Sequence, residues 1–101
     1  EIFSKKFLLY EIPQKTNVEI EKEAWNLYFH QNFEKALILF REIVEKNPND
    51  ATWWNSIAMC EYELYQYKQA LISINKALEL KNESIYVLNK ACILTEYGEY
   101  T

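Results

Sequence analysis

The chain repeats itself at a fixed step, and that limits its architecture more than any other property. Phe33-Glu34-Lys35-Ala36-Leu37 is matched 34 residues later by Tyr67-Lys68-Gln69-Ala70-Leu71. Phe40, Ile43 and Val44 meet Ile74, Ala77 and Leu78 at the same step. Upstream, Ala24 meets Ala58, whereas Leu27 meets Glu61, a poor match. A third copy begins with Ala91, Leu94, Gly98 and Tyr100, now 33 residues on from the second. The lost residue is assigned to the turn, where one copy has Lys46-Asn47-Pro48-Asn49-Asp50 and the next Lys81-Asn82-Glu83-Ser84. A period of this size marks a supersecondary unit that cannot bury its faces alone, so copies must stack.

Each copy reads as two helices. Phe33, Ala36, Leu37, Phe40, Ile43 and Val44 follow three-four spacing, the apolar stripe of one helix, and Tyr67, Ala70, Leu71, Ile74, Ala77 and Leu78 do the same. Pro48 disfavours helical geometry at Asn47 and stops the first of these. Asp50 is placed to cap the helix after it, and Thr16-Asn17-Val18-Glu19 has capping-box spacing. Helices are therefore predicted over 17–30, 33–47, 51–64, 67–81 and 85–97. With one Gly and two Pro in 101 residues, the chain lacks the turn punctuation of a many-stranded sandwich or barrel. Ala24 with Ala36, and Ala58 with Ala70, are the small residues that let paired helices approach closely. Phe33 and Tyr67 are expected to fill the wedge between them.

This pattern resembles the tetratricopeptide-repeat (TPR) family. The second copy supplies Trp54, Ile57, Ala58, Tyr67, Ala70 and Ala77. The first supplies Ala24, Phe33, Ala36, Phe40 and Pro48, and the third Ala91, Gly98 and Tyr100. Glu23 and Lys90 stand where the family has Leu, and Asn82 near its usual Pro. The resemblance implies an all-α, antiparallel helix-hairpin solenoid with right-handed superhelical stacking. It contains about two and a half repeats: 17–50, 51–83 and an incomplete 84–101.

In that family the first helix of each pair lines a concave groove. The groove places fall here on Val18, Glu21, Lys22, Trp25, Tyr28 and Phe29, then Thr52, Asn55, Ser56, Met59, Tyr62 and Glu63. The third set is Ile85, Leu88, Asn89, Cys92, Thr95 and Glu96. Trp25, Tyr28, Phe29, Asn55, Met59, Tyr62 and Leu88 are the expected partner-binding residues, since an apolar patch rich in Trp and Tyr marks a contact surface. Either a partner peptide or helix, or another part of a longer protein, would cover it. The Lys, Asn and Arg clamp with which some members grip chaperone C-termini is absent: Glu21, Trp25, Ser56, Ile85 and Asn89 hold those places.

Nothing in the sequence suggests a reaction. His30, the single histidine, has no evident nucleophile or orienting partner and reads as a turn residue. Ser4, Ser56, Ser73 and Ser84 lie in no nucleophile-elbow pattern, and one glycine cannot make a phosphate-cradling loop. Glu19, Glu21 and Glu23 alternate, so on a helix they spread around the axis and read as a solvated face, as do Glu42 and Glu45. Cys60 and Cys92 form no metal-binding pair and are expected as buried or half-buried free thiols, which favours a reducing, cytoplasmic setting. Asn82-Glu83-Ser84 matches a glycosylation sequon but falls at a predicted turn. The net charge of −4 weighs against a nucleic-acid partner, and no apolar run is long enough to span a membrane. No cofactor or metal is implied. The expected function is a non-catalytic protein-binding or assembly scaffold; the rival is a regulatory or recruiting arm of a larger enzyme.

Residues 1–16 stand apart from the repeats. Phe7-Leu8-Leu9-Tyr10-Glu11-Ile12 before Pro13 reads either as an extended arm or linker, the favoured alternative, or as the last turns of an earlier helix. At the other end, helix 85–97 carries apolar residues on several sides, and Gly98-Glu99-Tyr100 is expected to lead into a second helix. The reading is that the native chain continues past Thr101, or that self-association covers this end.

Overall fold

The computed structural model describes residues 16–99. Five helices follow one another: α1 Asn17–Phe29, α2 Phe33–Lys46, α3 Ala51–Glu63, α4 Tyr67–Leu80 and α5 Ser84–Glu99. Among the described residues there is no strand. α1 pairs with α2 and α3 with α4, while α3 also packs on α2 and α5 on α4. The result is an all-α helix-hairpin solenoid. The predicted boundaries hold to within two residues, the largest differences being at α5. That helix starts at Ser84 and runs through Gly98 to Glu99, so the expected break at Gly98 does not occur. The arm predicted over residues 1–16 lies outside the described residues except for Thr16, which caps α1.

The caps come from the residues the sequence singled out. Thr16 Oγ1 accepts from the Glu19 amide at 3.2 Å, and Asp50 Oδ1 from the Thr52 amide at 3.0 Å. Each satisfies one of the donors that a helix start leaves open. Pro48 adds a second role: its carbonyl accepts from Trp54 Nε1 at 2.8 Å, tying the turn between pairs to the helix that follows.

Within each pair the α1–α2 and α3–α4 turns are built alike. Gln31 and Tyr65 take left-handed backbone geometry, φ 62° and 63°. The amides beyond them close back over the helix end, Asn32 onto Leu27 and Gln66 onto Glu61, each at 2.8 Å. Two carbonyls that α1 and α3 would otherwise leave unpaired are satisfied this way.

The core lies in two connected clusters. The first joins Ile20 and Ala24 of α1 to Ala36, Leu37, Phe40, Ile43 and Val44 of α2, and reaches Ile57 and Cys60 of α3. The second joins Ala51 and Ala58 of α3 to Tyr67, Ala70, Ile74 and Ala77 of α4, and to Tyr86 and Ile93 of α5. Ala24, Ala36, Ala58 and Ala70 are all fully buried, as close helix approach requires. Tyr67 is buried and Phe33 half-buried. Phe40 is wholly enclosed, a burial of about 2–3 kcal/mol.

α5 uses only part of its surface. Tyr86 and Ile93 face the core, whereas Ile85, Val87, Leu88 and Leu94 are exposed. Val87, Ala91 and Leu94 occupy the places that Trp54, Ala58 and Glu61 hold on α3, where α4 covers them.

Candidate protein-binding face

The first helices of the pairs form one layer. α1 meets α3 through Trp25 and Trp53, whose ring centroids are 6.5 Å apart. α3 meets α5 through two polar ties that each span 34 residues. Asn89 Nδ2 donates to Asn55 Oδ1 at 2.8 Å, and Tyr62 Oη donates to Glu96 Oε1 at 3.5 Å. Each tie joins residues one position off equivalence, 34 rather than 33 apart, so one repeat step sets corresponding turns of α3 and α5 side by side.

The residues expected to bind a partner divide into three groups. Phe29 is 73% exposed and Leu88 61% exposed, so both present apolar surface to solvent. Trp25, Tyr28, Met59 and Tyr62 are half-buried. Trp25 sits 5.0 Å from Phe40 and 5.7 Å from Tyr28, with Phe29 stacked on it at 5.8 Å. It is therefore as much a wall of the first core cluster as a surface residue. Asn55 is engaged by Asn89 rather than free. Ser56 departs from the expectation: it is 2% exposed, and its hydroxyl donates to the Thr52 carbonyl at 3.0 Å. A small residue there lets α3 pack closely and takes Ser56 off the surface.

Rings and carboxylates alternate at the C-terminal ends of α1 and α3. Trp25, Tyr28 and Phe29 contact one another, Tyr28 and Phe29 edge to face at 5.7 Å. Burial and then the Glu63 carboxylate push the Tyr28 phenol up from its ordinary value. Burial and then Glu96 do the same for Tyr62. Phenols beside carboxylates stay protonated and remain hydrogen-bond donors.

Sequence reasoning missed one cluster. Glu61 is 2% exposed, yet it accepts from Ser73 Oγ at 2.6 Å and pairs with Arg41 Nη2 at 3.2 Å. Burial holds its carboxyl above the usual range, against the opposing pull of Ser73 and Arg41. The three residues come from α2, α3 and α4, so the cluster joins one pair to the next. The mismatch of Glu61 with Leu27 was the available signal.

The thiols separate. Cys60 is buried and its pKa is pushed up to about 12, by burial first and then by Glu61 and Glu63. Cys92, expected to be at least half-buried, is exposed, because it lies on the uncovered side of α5. His30 is exposed and its Nδ1 lies 2.7 Å from the Asn26 carbonyl, a local helix-end contact. Among the described residues no group of three His, Cys, Asp or Glu could hold a metal. No described helix is long and apolar enough to cross a membrane.

No protein-family model matches the sequence. The fold is similar to that of the Yersinia enterocolitica type III secretion chaperone SycD, solved in complex with a peptide of the translocator YopD. The TM-score is 0.79 at 22% identity, covering 88% of this chain and 69% of that one. SycD in an alternative dimer gives the same TM-score and identity over 88% of this chain and 68% of that one. A T3SS complex from Aeromonas hydrophila matches with TM-score 0.79 at 18% identity, over 91% of this chain and 62% of that one. At such identities the likeness is one of fold alone.

Proposed function

We propose that this chain is a TPR-type module that holds a segment of another protein against the layer formed by α1, α3 and α5, and catalyses no reaction. The observation that carries the reading is Phe29. A large aromatic ring is left three-quarters exposed, yet it is fixed in place by stacking on Trp25. Rigid, exposed aromatic rings are the usual anchors of protein interfaces because little side-chain freedom is lost on binding. The similarity in fold to a chaperone solved with a bound peptide supports the same reading. The repeat domain is taken as residues 17–101, the site as Trp25, Tyr28, Phe29, Asn55, Met59, Tyr62 and Leu88, and the setting as cytoplasmic.

The test is capture of partners by the intact chain, compared with Phe29→Ala and with a variant altered on the opposite helices, Ile38→Ser with Ile72→Ser. Loss of the same retained protein with Phe29→Ala alone supports the proposal. Loss with the Ile38 and Ile72 variant alone would move the contact to α2 and α4. A second reading, a regulatory or substrate-recruiting arm of a larger enzyme, is favoured by the exposed Val87, Ala91 and Leu94 side of α5, which a further part of such a protein would cover.

A further inference from the structure

Apolar surface alone does not choose among partners, but charge beside it does. Among the expected groove places there are three carboxylates, Glu21, Glu63 and Glu96, and one cation, Lys22. Lys22 lies two turns of α1 before Phe29, about 10 Å along the axis. Two carboxylates act on the ring hydroxyls: Glu63, the last residue of α3, on Tyr28, and Glu96, which accepts from Tyr62. Glu63 is exposed, and the facing end of α1 offers it no cation among Leu27, Tyr28 and Phe29. Trp25, Tyr28 and Phe29 meet edge to face and stacked at 5.7–5.8 Å, so ring faces and edges converge on one spot.

We infer that this spot selects a segment that is both apolar and cationic, with an Arg or Lys side chain laid on Phe29 and Tyr28 and its charge directed to Glu63, while Glu96 at Tyr62 attracts a further cation of the same segment. Ring faces carry negative potential and attract a cation, Arg above all, and a flanking carboxylate adds to that attraction. A guanidinium also offers flat apolar faces to the rings while its edge donates to carboxylate oxygens. An acidic segment would meet like charge at Glu63 and Glu96 and be rejected, which is how charged groups at an interface confer selectivity. The electrostatic influence of Glu63 on Tyr28 and of Glu96 on Tyr62 agrees with this geometry.

The inference rests on the proposed protein-holding role, and its test separates the two. Three sets of 12-residue synthetic peptides share the same Leu, Ile and Phe positions and differ only in carrying Arg, Ser or Glu between them. Binding to the intact chain is read by fluorescence anisotropy at low and high salt. The expected result is that Arg peptides bind about tenfold more tightly than Ser peptides, and Glu peptides more weakly than either. That preference should shrink at high salt as screening removes the charge term. Glu63→Gln with Glu96→Gln should abolish the preference, read as the ratio of Arg-peptide to Ser-peptide affinity in the same variant. Phe29→Leu, which keeps an apolar side chain without the ring, should reduce it. Equal binding of all three sets, or a preference that survives both variants, overturns the charge selection but leaves a groove that binds apolar peptides. Failure of every set to bind counts against the protein-holding role itself. Circular dichroism of each variant confirms that the helices are retained.

Discussion

The hydroxyl of Ser73 lies 2.6 Å from Oε1 of Glu61, and both side chains are buried. In the preceding repeat the same two places are held by Leu27 and Leu39, both packed against the first core cluster. One repeat therefore has an apolar pair where the next has a hydrogen-bonded polar one. Ser73→Ala leaves a buried carboxylate short of a donor and is expected to cost about 1–3 kcal/mol. Replacing both, Glu61→Leu with Ser73→Ala, should cost less than the sum of the single changes, with a coupling of about 1 kcal/mol or more. Urea denaturation of the four proteins measures this; additive costs would mean the two side chains act independently.

The same carboxyl makes stability depend on pH in a defined direction. Burial raises its pKa in the folded chain above the unfolded value. Its contribution is then fully present below the unfolded pKa and is lost as pH rises through the folded one. Glu61→Gln removes the titration but keeps an acceptor for Ser73. Relative to that variant, the natural chain should be most stable at about pH 4 and lose ground as neutrality is approached. A relative gain with rising pH would contradict the assignment. Only the difference between the two proteins is diagnostic, since other carboxylates titrate in both.

Gln31 offers a stabilising change. Its left-handed backbone, φ 62°, costs an L-residue what glycine avoids. Gln31→Gly should raise stability by about 1 kcal/mol, seen as a higher melting temperature. Tyr65→Gly should gain less, because Tyr65 also meets the Tyr67 ring at 6.2 Å.

Thiol chemistry should report burial directly. Cys92 is exposed, while Cys60 is buried with a pKa of about 12. Iodoacetamide at mildly alkaline pH should add once to the native chain, at Cys92, and twice after unfolding; peptide mass mapping locates the adducts. Early modification of Cys60 would mean that α3 leaves its place between α2 and α4.

Trp25 and Phe29 should behave differently on truncation. Trp25 contacts Tyr28, Phe29, Phe40 and Trp53, so Trp25→Ala is expected to cost about 3 kcal/mol of stability. Phe29→Ala removes a mostly exposed ring and should change stability by under about 1 kcal/mol. Thermal melts compare the two, and loss of partner binding in Phe29→Ala is the cleaner evidence for the site.

The helices and their pairing were legible because repetition sampled the same physics twice. Ala24 and Ala58 fixed one approach, Ala36 and Ala70 the other, and Pro48 and Asp50 punctuated the turn. The candidate face was only partly legible. Helical spacing places Trp25 and Phe29 four residues apart on one side, but only packing shows that Phe40 and Trp53 enclose Trp25. Ser56 fell on the same side by spacing and is buried because α3 closes tightly there. Glu61 was read as a mismatch, since no sequence pattern tells that Ser73 and Arg41, on two other helices, converge on it. Cys92 was misjudged because burial on α5 depends on which side is covered, and the spacing of apolar residues there does not single out a side.

Apart from the ties between α3 and α5, each helix packs mainly on its neighbours in the chain. A chain held that way responds to tension as a stack, not as a knot. Pulled from its ends, it should come apart one hairpin at a time, because removing an end pair breaks only one boundary. At the boundary crossed by Arg41 and Glu61 an ion pair must part as well as apolar surface. That gives the junction between the first two pairs a mechanical signature of its own, a rupture force that changes with salt and acidity.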